Sequence, residues 1–332
     1  MPSEDPGRPR GRVAAALAMA GFLYAIWGYF NVYYVKWLFP GLYVDSILVS
    51  SASEIIVIVA FGVFAIRAQT NRYTKIRLVV LVGLVATIWG AVPLLFPFAE
   101  PHVGRLPFTP VGFPGMHVPG ALSYFVWLGL IFLFGRRVDC AWCCPCVGIR
   151  ETVGAPFRGA TIKGGPAWRL RHVQWLVVGV HGLYLAFIFM PASGLADAFF
   201  SAFWSLVPLA YYLSFLLVPV TGNRNFCRYL CPFGSVYGAV SVAGFFKIVG
   251  DPERCSGCGL CERECDMGVP VATLIRERGE VRVMDCMGCC RCVASCPRQA
   301  LESRDVRDAL GLRRGERPPR KPVTACGADR RT

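Results

Sequence analysis

The chain has 332 residues, 55% of them hydrophobic, with a mean hydropathy of +0.47 and a net charge of +14. Soluble domains are nearer 45–50% apolar, so the composition argues against an ordinary globular enzyme and for a lipid environment. The excess of Lys and Arg would suit nucleic acid, but basic cytoplasmic loops explain it more simply, and no nucleic acid is expected as a partner.

A basic arm, 1–12, precedes six apolar runs at roughly 13–38, 44–66, 77–98, 119–136, 173–192 and 198–220. Each is close to the ~20 residues that cross about 30 Å of hydrocarbon. The Ala-Met-Ala at 18–20 looks like a cleavage site, but the apolar run continues past it, so an uncleaved anchor is expected. Basic residues alternate between connections. Arg67, Arg72, Lys75 and Arg77 share the second, and Arg136, Arg137, Arg150, Arg158, Lys163, Arg169 and Arg171 the fourth, whereas Arg105 stands alone in 99–118. This predicts an all-α domain of six transmembrane helices in a bacterial or archaeal cytoplasmic (inner) membrane, with both termini cytoplasmic. Residues 232–248 are short and Gly-rich; they read as an interfacial or re-entrant segment that ends the membrane domain, 13–248.

The first run is crowded with Tyr24, Trp27, Tyr29, Tyr33, Tyr34 and Trp37. An aromatic belt or helix packing is the plainer explanation; a quinone-contacting surface is the other. Glu54 is expected about ten residues into the second helix. A carboxylate at that depth is costly and commonly functional, and a quinol losing electrons must also lose protons, so Glu54 is a candidate proton acceptor. A neutral Glu bonded to a neighbouring helix is the structural alternative. His181 has no partner suited to a haem and reads as a hydrogen-bonding group toward quinone or a neighbouring helix.

Two C-x3-C-P motifs follow the fourth and sixth runs: Cys140, Cys144, Pro145 and Cys227, Cys231, Pro232. Each is preceded by a helix pair, as in a parallel repeat, which would bring the two motifs together. Their four cysteines are candidates for a thiolate-bound redox or metal centre. A transient disulfide pair, a copper site or a turn with reduced thiols are the alternatives. Cys143 and Cys146 extend the first motif to a C-x2-C-x2-C run.

The C-terminal part carries C-x2-C-x2-C-x3-C twice: Cys255, Cys258, Cys261, Cys265 and Cys286, Cys289, Cys292, Cys296, the second followed by Pro297. Three thiolates at that spacing wrap one [4Fe–4S] cubane, while the fourth reaches the other cluster. Cys255, Cys258, Cys261 and Cys296 are therefore assigned to the first cluster, and Cys286, Cys289, Cys292 and Cys265 to the second. Zinc also uses CxxC pairs, but eight ligands in this order favour iron–sulfur. Cys290 breaks the spacing and reads as a free thiol. Asp266 stands where a proline usually follows the fourth cysteine. The predicted unit is a small α+β two-cluster ferredoxin domain, 249–302, ahead of a basic tail, 303–332, expected to be disordered.

Six spans, two C-x3-C-P motifs and a two-cluster ferredoxin resemble the NapH/NosR type of membrane polyferredoxin, a resemblance that covers about 77–297. NapH belongs to periplasmic nitrate reductase systems and NosR to nitrous oxide reductase systems. The resemblance implies electron relay between the quinone pool, with quinol as diffusible substrate, and other subunits of a respiratory reductase pathway. Similar CcoG-type proteins leave open an accessory role in copper reduction or metalloenzyme assembly, and a redox sensor is a further alternative.

Overall fold

The computed structural model describes residues 9–50, 52–95, 118–188 and 194–312. Helices lie in all six apolar runs: Pro9–Phe30 continuing through a π turn to Leu38, Ala52–Ala68, Arg72–Leu84 continuing to Leu95, Val118–Phe134, Val173–Ile188 and Gly194–Leu213. Among the described residues, two stretches, Gly11–Leu38 and Arg72–Ala91, are long and apolar enough to cross a membrane by themselves. The six-span expectation is thus supported for two of its runs. Phe22, Ile58, Leu78, Leu81, Val85, Ile149 and Phe215 form the buried centre where these helices meet.

The second helix begins at Ala52 rather than near residue 44. Asn31 is the cause. Its buried amide donates to the carbonyls of Val44 and Val49, both at 2.8 Å, and accepts from the Val44 N–H at 3.1 Å. Those bonds hold 44–49, which end in a short 3-10 turn at Ile47–Val49, outside the α-helix. Glu54 consequently lies in the helix's first turn, not ten residues along it.

Both C-x3-C-P prolines sit at the first position of a helix, where the missing N–H costs nothing. These helices are Pro145–Thr152 and Pro232–Ala243. The first folds back along Ala52–Ala68, with Gly148 facing Ile58 and Val85. The motif expected in a surface connection is therefore buried under the bundle. The second helix has 12 residues, a length of about 18 Å at 1.5 Å per residue, too short to span. It packs against Val173–Ile188 and Val118–Phe134.

The C-terminal domain is a three-stranded antiparallel sheet with two cysteine loops. β1 (Lys247–Gly250) lies between β2 (Glu280–Val281) and β3 (Leu301–Arg304), with Ile248 opposite both Val281 and Ser303. The amphipathic helix Val271–Arg278 covers the sheet with Val271, Leu274 and Ile275. Phe246 joins the two halves: it fills the space left by Gly135, where any Cβ would lie 2.4 Å from its ring, and the Arg137 guanidinium stacks over it at 4.9 Å.

Polar bonds dock this domain onto the helical part. Arg137 pairs with the buried Asp305. Arg136 Nη1 donates to the Met284 carbonyl at 2.9 Å, Gln174 Nε2 to Asp285 Oδ1 at 2.8 Å, and Arg282 Nη1 to the Gly244 carbonyl at 3.0 Å. Arg77, Arg136 and Arg150, read from sequence as topology signals, are each 1% exposed or less; they are structural cations.

Candidate redox site

The two cysteine runs fold alike. Gly257 and Gly288 take equivalent left-handed turns at φ +67, and the next such turn falls on Gly259 (φ +69) in the first run and on Cys290 (φ +55) in the second. Successive turns of this kind aim backbone N–H groups inward, forming an anion-binding concavity. Cys290 thus replaces a glycine in a conformation that a side chain disfavours by about 1–2 kcal/mol. It is buried, and its thiol donates to the Gly288 carbonyl at 3.4 Å.

One concavity is lined by Cys255, Cys258, Cys261 and Cys296. A second is lined by Cys265, Cys286, Cys289 and Cys292, with Cys290 beside them. The fourth cysteine of each run accepts from a backbone N–H four residues on, Val269 to Cys265 and Ala300 to Cys296, each at 3.4 Å. Four thiols per concavity with inward N–H donors fit an anionic [4Fe–4S] cluster.

Asp266, in the place of the usual proline, is a docking group. Arg158 grips it through Nε at 3.0 Å and Nη2 at 2.9 Å, and Arg291 reaches it at 3.0 Å. One acidic side chain thus ties the second cysteine run to the connection before the fifth helix. Asp266→Ala is expected to lower stability by about 1–3 kcal/mol, because Arg291 is left buried without its anion. Thermal unfolding under anaerobic conditions checks it; an unchanged transition would remove this role.

A cavity of about 680 Å³ lies beside the second concavity. Cys140, Cys144, Cys227 and Cys231 all line it, so the structure brings the two C-x3-C-P motifs together as the repeat implied. Cys146 lines it as well. Cys143 does not; it is buried. Every described cysteine is free of a disulfide.

Glu54 opens into the same cavity. It accepts from Tyr211 Oη at 2.6 Å and Tyr212 Oη at 3.0 Å. Tyr29 stacks on Tyr212 at 4.2 Å, and with Tyr33 and Tyr34 it completes the aromatic lining. These first-helix aromatics therefore serve the cavity rather than only a lipid belt. His181 is buried against Phe233 and Phe203, outside the lining. Met267 and Met287 line both the cavity and the second concavity, so one wall separates the two.

Charge under the cavity is organised by Arg136 and Glu151. Asp139 is pushed up to about 7 by burial, which Arg136 only partly offsets; burial likewise pushes the Cys140 thiol up to about 12. For Glu151, burial would raise the carboxyl, but Arg77 and Arg224 on either side overcome it and hold it down to about 2. From sequence Arg136 was read only as a topology signal, and Tyr211 and Tyr212 were not singled out; their only signal was a Tyr pair late in the sixth run.

A 4Fe-4S dicluster domain matches residues 247–297. NapH of Haemophilus influenzae is 26% identical over 226 residues, 60% of this chain and 72% of that protein. NapH of Escherichia coli is 30% identical over 196 residues, 54% of this chain and 67% of that protein. The chain belongs to the NapH/NosR-type 4Fe–4S polyferredoxins. YccM of Escherichia coli is 30% identical over 204 residues, and the alignment spans just over half of its length, 55%. No solved structure matches. The polyferredoxin is accordingly a 4Fe–4S-binding protein.

Proposed function

We propose that this polyferredoxin is a multi-pass membrane protein exchanging electrons between the quinone pool and other subunits of a respiratory reductase system. In this reading the eight ferredoxin cysteines hold two [4Fe–4S] clusters, assigned as in the sequence analysis, which supply one-electron carriage. The observation that carries it is the cavity: an aromatic chamber of about 680 Å³, in the usual range for small-molecule sites, with a carboxylate inside and the second cysteine concavity behind one wall.

The polypeptide's own part is proton handling and enclosure. Quinol oxidation releases two electrons and two protons. Glu54 takes a proton from the ring hydroxyl, held in place by Tyr211 and Tyr212, and passes it on before accepting the second. Tyr29 and Tyr34 flank the ring, and Met267 and Met287 close the side toward the concavity. The same groups run in reverse if electrons flow toward quinone.

Mixing dithionite-reduced, desalted protein with a menaquinone analogue tests the proposal in either direction. The EPR signal of the reduced clusters should disappear with formation of quinol. Clusters that stay reduced with the analogue but are oxidised by ferricyanide would sink it. Cu(II) reduction that depends on Cys140 and Cys144, without any quinone reaction, would turn the reading to metalloenzyme assembly.

A further inference from the structure

The four C-x3-C-P cysteines remain outside the two ferredoxin concavities, and three independent features of their surroundings point the same way. The first is convergence. Cys140, Cys144, Cys227 and Cys231 come from two separate connections and face one cavity. Cys231 lies within electrostatic reach of the other three. The second is that Cys144 and Cys231 each cap a helix at its N-terminal end, Pro145–Thr152 and Pro232–Ala243. That end carries partial positive charge and favours an anionic sulfur. Cys231 Sγ already accepts from the Gly234 N–H at 3.2 Å.

The third is Arg136. It is 1% exposed, and a buried guanidinium needs an anion or a full set of hydrogen bonds. Nε donates to Cys140 Sγ at 3.3 Å, Nη2 to the Cys227 carbonyl at 3.1 Å, and Nη1 to Met284 in the C-terminal domain. Among the described residues it makes no ion pair with a carboxylate, Asp139 included. Its field falls on Cys140, Cys231 and Cys227. Gly234 is what lets the second motif come so near, since a Cβ there would lie 2.5 Å from Arg136 Nη2.

We infer that Cys140, Cys144, Cys227 and Cys231 bind a third iron–sulfur cluster, with Arg136 as its counter-cation. A cluster is favoured over a single ion by charge and placement: four cysteines from two connections face one cavity, two of them at helix N-termini, beside a buried guanidinium, a setting suited to an anionic multi-iron core. Four thiolates around an iron–sulfur core leave net negative charge, which Arg136 meets through its contact with Cys140 Sγ. The site shares the wall of Met267 and Met287 with the second ferredoxin concavity.

This site stands independently of the quinone reading, because metal content is measured with no quinone present. Full-length protein, reconstituted anaerobically in detergent, should hold about ten to twelve iron atoms per chain with matching acid-labile sulfide, against about eight for two cubanes alone. Replacing all four cysteines (C140S, C144S, C227S, C231S) should remove about a fifth of the iron for a two-iron cluster, or about a third for a four-iron one, leaving the ferredoxin EPR signals. Unchanged iron in the four-cysteine variant, or loss of copper or zinc instead, overturns the inference. Should that variant fail to fold, Arg136→Gln decides. With the counter-cation gone, the midpoint of one iron–sulfur signal should fall while the others hold; three unmoved or only two resolvable signals would overturn it.

Discussion

Glu54→Gln should slow electron exchange with a menaquinone analogue by about 10²–10⁴-fold, the range for removing a positioned acid–base group. Iron content and reduction by dithionite should not change, because neither needs a proton at this position. Glutamine keeps the size of the side chain and can still accept from Tyr211, whose hydroxyl lies 2.6 Å from the carboxylate in the native chain. What it loses is the capacity to bind and release a proton. Stopped-flow reoxidation of the reduced clusters reads the rate. A variant as fast as the native chain would assign Glu54 to helix packing alone.

Glu151→Ala should destabilise the fold by about 3–5 kcal/mol, the range for breaking a buried ion pair from one side. Glu151 takes both Arg77 and Arg224, and all three side chains are at most 5% exposed. Arg77 also donates to the Ala141 carbonyl at 3.0 Å, inside the first C-x3-C-P loop. Removing the carboxylate leaves two cations buried with like charge facing like. Glu151→Gln should lose less, since the amide oxygen can still accept. The pH sign follows from the pair of arginines: a carboxyl held at about 2 when folded, against about 4.3 unfolded, stabilises fully above the higher value. That contribution fades as pH falls through the folded value and is flat near neutrality. Thermal unfolding of the variants checks both points; a loss below about 1 kcal/mol would mean that water or another anion replaces Glu151.

Much of the C-terminal domain was legible because cysteine spacing is a local constraint. The residues assigned to each cluster on that basis line the same concavity in the structure. The convergence of the C-x3-C-P motifs was legible too, from their repetition after similar helix pairs. Helix starts were not. Asn31 acts on Val44 and Val49 across a turn, and no periodicity marks such a bond, so the second helix was drawn too long and Glu54 too deep. The burial of the arginines was not legible for a related reason. A basic residue beside an apolar run looks the same in sequence whether it faces solvent or meets Glu151 or a cysteine carbonyl buried in the fold. Asp266 was noticed as a missing proline, but its two arginine partners come from distant parts of the chain.

The methionine partition has an architectural consequence. Met267 and Met287 belong to the iron-binding half, yet they form part of the chamber among the helices. Cutting the polypeptide after Phe246 would not release a smaller working module; it would leave the chamber without its floor. Grafting a foreign ferredoxin onto the helices would meet the same obstacle unless it carried side chains of matching size at those two places. The two halves are therefore expected to change together when one of them changes, like a vessel and its own stopper.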